Sequence, residues 1–264
     1  MDFTTIRFEK SEKIATITLN RPGNMNTFNL TMLNELATAF EDVSLDDDIR
    51  VVIFTGEGKV FSAGADVKAA DELLGIGEER QENEDIMKII TRLVLSIRQT
   101  PKPVIAALNG VTAGATANFA LACDIIVASE DARLVENFIN IGLVPDGGGT
   151  FLVPHLIGYH RAAEIFFTGK ILSAQEAMDL GLYNRVVPKE SVLDSARELA
   201  RELMQKPALT LAAGKRIINM ETIPRLRAHL EEETDEQRVL ARSHDTQEGI
   251  MAFIEKREPD FIGK

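Results

Sequence analysis

Two kinds of apolar pattern alternate along the first half of the chain. Residues 13–20 (KIATITLN) and 51–56 (VVIFTG) are β-branched runs that end in turn formers, and between them Leu30, Leu33, Leu36 and Phe40 recur at helical spacing. This predicts strand, helix, strand. The order continues with Ile86, Ile90, Leu93 and Ile97 on one helical stripe, then with PVIAALNG at 103–110 and DIIVAS at 124–129. Strands without polar alternation need cover on both faces, so the expected class is α/β, a sheet between helical layers. Beyond residue 150 strand patterns fade. Helix starts are explicit there: Ser173 with Glu176, and Ser191 with Asp194, fit the capping pattern ahead of apolar periodicity. Segment 222–242 is charged on many sides, which predicts packing on a neighbouring layer or subunit. The acidic stretch 68–85 reads as a flap over a site or as a solvated surface loop.

Composition narrows the function classes. The 264 residues suit one large domain or one domain with a helical appendage. With 29 basic against 41 acidic side chains the net charge is −12, the wrong sign for a nucleic-acid partner. A single cysteine, Cys123, excludes an internal disulfide framework, and the four histidines fall in no metal-ligand spacing. No stretch approaches the roughly 18 apolar residues of a membrane span, and the charged N-terminus lacks a signal-peptide run, so a cytoplasmic protein is expected.

Three segments could carry chemistry. FSAGADVK (61–68) and NGVTAGATANFALACD (109–124) place small residues after predicted strands, where backbone N–H groups can approach an oxygen that gains negative charge. GLVPDGGGT (142–150) is a turn by local chemistry, and Asp146 in it shapes that turn or serves as a base. Phe138, Leu143, Val144, Phe151 and Leu152 surround it in sequence, and desolvation among them raises an aspartate pKa toward the range useful for proton transfer.

In this order and spacing, with NRPGNMNTF near the start, TGKILSAQEAMDLGLYNRVVP and the terminal EGIMAFIEKREPDF, these segments resemble the crotonase (enoyl-CoA hydratase/isomerase) superfamily along essentially the whole chain. The resemblance implies a fold of repeated ββα turns, a core domain at 1–190, a C-terminal helical oligomerisation region at 191–264, and homotrimers or homohexamers. It implies acyl-CoA thioester substrates, with coenzyme A part of the substrate and no permanently bound cofactor. The implied oxyanion donors are the N–H groups of Ala65 and Ala115, the latter a glycine in most relatives; a backbone donor survives that change. Implied coenzyme A contacts are Met25, Ala63, Asp66 and Val67, with Phe253 and Lys256 from an adjacent subunit.

The acid/base positions depart from the hydratase pattern. Asn118 and Phe138 stand where enoyl-CoA hydratases carry two glutamates, so the water-activating pair is missing. An aspartate directly after the proline of GLVPD, together with Asn118, instead resembles the 1,2-epoxyphenylacetyl-CoA isomerase group, in which that aspartate shuttles the proton. The implied reaction is a double-bond shift or epoxide rearrangement by 1,3 proton transfer, with Asp146 as base and Asn118 orienting substrate or a water, or else satisfying polar groups at a helix start. A hydratase with relocated groups and a non-catalytic acyl-CoA-binding subunit are the alternatives. Glu136 and Asn137 read as an exposed polar pair, Asp124 as structural, and Cys123 as a buried, inert thiol.

Overall fold

The computed structural model describes residues 2–66 and 86–264; Val67 and the stretch 68–85 lie outside the described residues. Six strands form the main sheet in the order β1 (Ile6–Ser11), β2 (Ile14–Leu19), β3 (Val51–Gly56), β4 (Val104–Leu108), β6 (Ile125–Ser129) and β9 (Arg185–Val187). Only the β1–β2 pair is antiparallel; every later neighbour is parallel. A second sheet joins β5 (Thr112–Ala113), β7 (Arg133–Val135) and β8 (Ile171–Ser173). β1 is missing from the sequence pattern because IRFEKS is mostly exposed, and β7, β8 and β9 are too short at three residues to show a period.

One face of the main sheet is covered by α1 (Leu30–Leu45) and α2 (Ile86–Gln99), whose buried stripes include Leu33, Leu36, Phe40, Ile90, Leu93 and Ile97. The other face packs on α7 (Val192–Met204) through Val192, Ala196, Leu199 and Ala200. The helix that opens the C-terminal third is therefore a layer of the core sheet. Between these lie α3 (Ala115–Leu121), α4 (Gly149–Ile157), α5 (Tyr159–Thr168) and α6 (Ala174–Asp179). The Ser173–Glu176 capping box forms as predicted, whereas Ser191 stands before α7 without a side-chain capping bond.

After α7 come α8 (Ala208–Ile218), α9 (Thr222–Leu240) and α10 (His244–Glu255). α9 lies against α2 and α4 of its own chain, which gives segment 222–242 its neighbouring layer. α8 is pinned by Lys215, whose ammonium donates to Asp124 at 2.6 Å and to the carbonyl of Lys102 at 3.1 Å. The same Asp124 oxygen accepts the N–H of Val104 at 2.8 Å, so this acid ties two strands to a helix. Among the described residues no helix is long and apolar enough to cross a membrane. Asp124→Ala strands Lys215 in a largely buried position and is expected to cost about 3 kcal/mol in urea unfolding.

Candidate active site

The turns that follow β3 and β4 meet backbone to backbone. Phe61 and Ser62 both donate to the carbonyl of Val111, and Ala113 donates back to Ser62 at 3.0 Å. A Cβ at Gly64 would stand 3.1 Å from the Ala113 oxygen, and Gly114 adopts φ 57°, ψ −143°, a conformation suited to glycine. Other N–H groups of these turns are occupied: Asp66 donates to Phe28, and Gly114 to Val135. Among the described residues the N–H groups of Ala65 and Ala115 have no partner. Two free donors thus sit on two turns in direct contact.

Asp146 is pressed onto the second of these turns. A Cβ at Gly147 would lie 3.3 Å from the carbonyl oxygen of Ala115 and 3.3 Å from Cβ of Asn118. The Asn118 amide donates to the main-chain oxygen of Asp146 at 2.7 Å and to Glu136 Oε2 at 3.4 Å. The Asp146 carboxylate accepts a hydrogen bond from Gln237 Nε2 at 3.0 Å, and that nitrogen also donates to the Val144 carbonyl at 3.1 Å. Phe138, Leu143, Phe151 and Leu152 are buried. Burial pushes the Asp146 pKa up to about 6, against the opposing pull of the Gln237 N–H.

Two further carboxyl groups close the centre. Glu233 accepts from the N–H of Gly148 at 2.8 Å, from the N–H of Thr150 at 2.9 Å and from the Thr150 hydroxyl at 2.5 Å, which holds the start of α4. Burial still outweighs these donors and lifts its pKa to about 7. Glu136 corrects the sequence reading: it is 1% exposed. β7 pairs with β5 up to Ala113 and Val135, and this register carries Glu136 inward beside Gly114. Burial raises its pKa well above the usual carboxylate range, and repulsion from Asp146 and Glu233 adds to the shift.

Met25, Ala63 and Asp66 share one rim. Ala63 donates to the Met25 carbonyl at 3.0 Å, Met25 is exposed with φ 51°, and Asp66 pairs with Arg21 at 2.9 Å. Phe253 is exposed on α10 and Lys256 ends that helix in the left-handed conformation; earlier in α10, Thr246 donates to the carbonyl of Gly142 at 2.9 Å. Cys123 is buried and its thiol is pushed up by desolvation. Sequence reasoning missed Glu233 and Gln237. The signal available was their place on the α9 stripe Leu226, Leu230, Glu233, Gln237.

Free main-chain donors at the ends of parallel strands, near a desolvated carboxyl, are suited to acid–base chemistry beside an oxygen that gains negative charge. The chain belongs to the enoyl-CoA hydratase/isomerase family, whose model matches residues 9–264. It is 39% identical to the 1,2-epoxyphenylacetyl-CoA isomerase of Escherichia coli (strain K12) and 31% identical to the trans-2-decenoyl-[acyl-carrier-protein] isomerase of Streptococcus mutans, over the full length of both chains in each case. A probable enoyl-CoA hydratase of Rhodobacter capsulatus is 36% identical, again over both full lengths. Among solved structures, an enoyl-CoA hydratase from Mycobacterium avium subsp. paratuberculosis superposes with a TM-score of 0.89 at 32% identity, covering 99% of this chain and 100% of that one. The fold is that of the crotonases.

The buried acid has a stability signature. The ordinary value of Asp146 is 3.8 and its folded value about 6, so the native state holds the proton longer than the unfolded chain. Stability from this group is therefore lost as pH rises through that window. Asp146→Asn is expected to be more stable than wild type at neutral pH by up to about 3 kcal/mol, with the gain vanishing below about pH 4 in urea unfolding.

Proposed function

We propose that the protein isomerises an enoyl thioester of coenzyme A by moving one proton along the acyl chain. The observation that carries this reading is Asp146, a buried carboxyl with a pKa of about 6 whose next residue, Gly147, packs on the Ala115 turn. Ionised, it removes a proton from the carbon next to the thioester carbonyl of a 3-enoyl group. The electron pair of that C–H bond delocalises into an enolate, whose oxygen accepts from the N–H groups of Ala65 and Ala115. The neutral Asp146 then returns the proton two carbons further on, and the double bond ends conjugated with the carbonyl. Each oxyanion donor contributes about 3 to 4 kcal/mol, and the shuttle contributes roughly 10² to 10⁴ in rate.

Phe138 supports isomerisation over hydration. Its ring stands over the oxyanion turn, 3.8 Å from where a Gly114 Cβ would be, and gives no acid to a water there. Asn118 is committed to Asp146 and Glu136 and orients the base. The two relatives named as isomerases favour the same reading, whereas the Rhodobacter capsulatus relative is named a probable hydratase. Coenzyme A enters as part of the substrate, with Met25, Ala63, Asp66 and Val67 as its contacts, and with Phe253 and Lys256 reaching it from a neighbouring copy. Assembly into trimers or hexamers belongs to this proposal, supported by the exposed apolar residues Leu209, Ile217, Ile218 and Met220 at and after α8.

Asp146→Asn is expected to lower kcat for a 3-enoyl-CoA by at least about 10²-fold, with coenzyme A affinity near wild type by calorimetry. Unimpaired turnover by that variant, or incorporation of labelled water into a 2-enoyl-CoA at a rate above isomerisation, overturns the assignment.

A further inference from the structure

The proposed isomerisation leaves one buried carboxyl without a task. Glu136 is 1% exposed, and among the described residues its Oε1 has no hydrogen-bond partner. Oε2 accepts from the same Asn118 nitrogen that donates to the main-chain oxygen of Asp146, so one amide group joins the two acids. That amide is fixed in orientation, because only its nitrogen can serve the Asp146 carbonyl. Its own oxygen, Asn118 Oδ1, is likewise buried without a partner.

Resting on the isomerase reading, we propose that Glu136 is a positioning residue that works as a neutral carboxylic acid: it holds the Asn118 amide, and through that amide the turn that aims Asp146, and its ionisation switches the enzyme off. The pair brings two orphaned acceptor oxygens, Asn118 Oδ1 and Glu136 Oε1; the proton of a neutral Glu136 is a donor for them, and the buried Tyr183 hydroxyl, likewise without a partner among the described residues, is another beside Glu136. The charged and titratable groups that face Glu136 are Asp146 from the turn before α4, Glu233 from α9 and Tyr183 from the segment after α6. Among the described residues no cation is one of them. Burial keeps its proton on well above the usual carboxylate range, and the two neighbouring acids reinforce this. Asp146 therefore ionises first, and a second charge on Glu136 follows only at higher pH. That charge makes Glu136 Oε2 the stronger acceptor for the shared Asn118 nitrogen, draws the amide off the main-chain oxygen of Asp146, and so releases the turn that aims Asp146.

Glutamine reproduces the donor and acceptor of a neutral acid and cannot ionise. Glu136→Gln is expected to keep kcat within about twofold at neutral pH, to retain the acid limb set by Asp146, and to abolish the alkaline fall of the wild-type kcat/KM profile. Glu136→Ala removes the partner of Asn118 and is expected to lower kcat about tenfold with KM within about twofold. An alkaline limb that survives in Glu136→Gln, a wild-type profile with no such limb, or wild-type kcat in Glu136→Ala overturns the proposal. Infrared spectroscopy of the intact protein gives a readout that needs no turnover. Above the pH at which Asp146 and Glu233 ionise, a protonated-carboxyl band should be present in wild type and in Asp146→Asn, and absent in Glu136→Gln. Its absence from wild type also overturns the proposal. Activity retained by Asp146→Asn sinks the isomerase reading instead, and leaves the infrared result to decide Glu136 alone.

Discussion

A carboxyl group withdrawn from water without a cation beside it holds a negative charge only as far as neighbouring N–H groups allow. Three such groups, Glu136, Asp146 and Glu233, share one interior here, and their donors are unequally distributed. Glu233 has two main-chain N–H groups and a hydroxyl, Asp146 has one amide from Gln237, and Glu136 has one long bond from Asn118. Burial raises all three pKa values, the donors offset it only in part, and the charge of Asp146 raises the other two further. A group poised near neutrality can take a proton and give it back, which one anchored by several cations cannot.

The polar interior works because the backbone around it is rigid. The turns after β3 and β4 touch through Gly64 and Ala113, and Gly147 sits on Ala115 with equally little room. Close approach of main chain to main chain holds the N–H groups of Ala65 and Ala115 in fixed positions. The Asp124–Lys215 link acts at the start of β4 and β6 and ties them to α8.

The parts of this arrangement that follow hydrophobic period were legible in the sequence. β2, β3, β4 and β6 fall within the apolar runs, and α1 and α2 bury the stripes that their spacing implies. The small-residue turns and Asp146 were also legible, because turn chemistry is local. Glu136 was not. Its neighbours Arg133 and Asn137 are polar, and only the pairing of β7 with β5, a contact between distant segments, turns it inward. Glu233 and Gln237 were hidden for a different reason: they occupy the buried face of α9 as polar residues, which flattens the apolar period that would have marked that face.

The amide that steadies Asp146 lies 91 residues later in the chain, on a helix that docks onto α2 and α4. During synthesis the sheet and the turns after β3 and β4 leave the ribosome before α9 does. Until α9 docks, Asp146 lacks the amide of Gln237. The environment of Asp146 is thus completed by one of the last segments of the polypeptide.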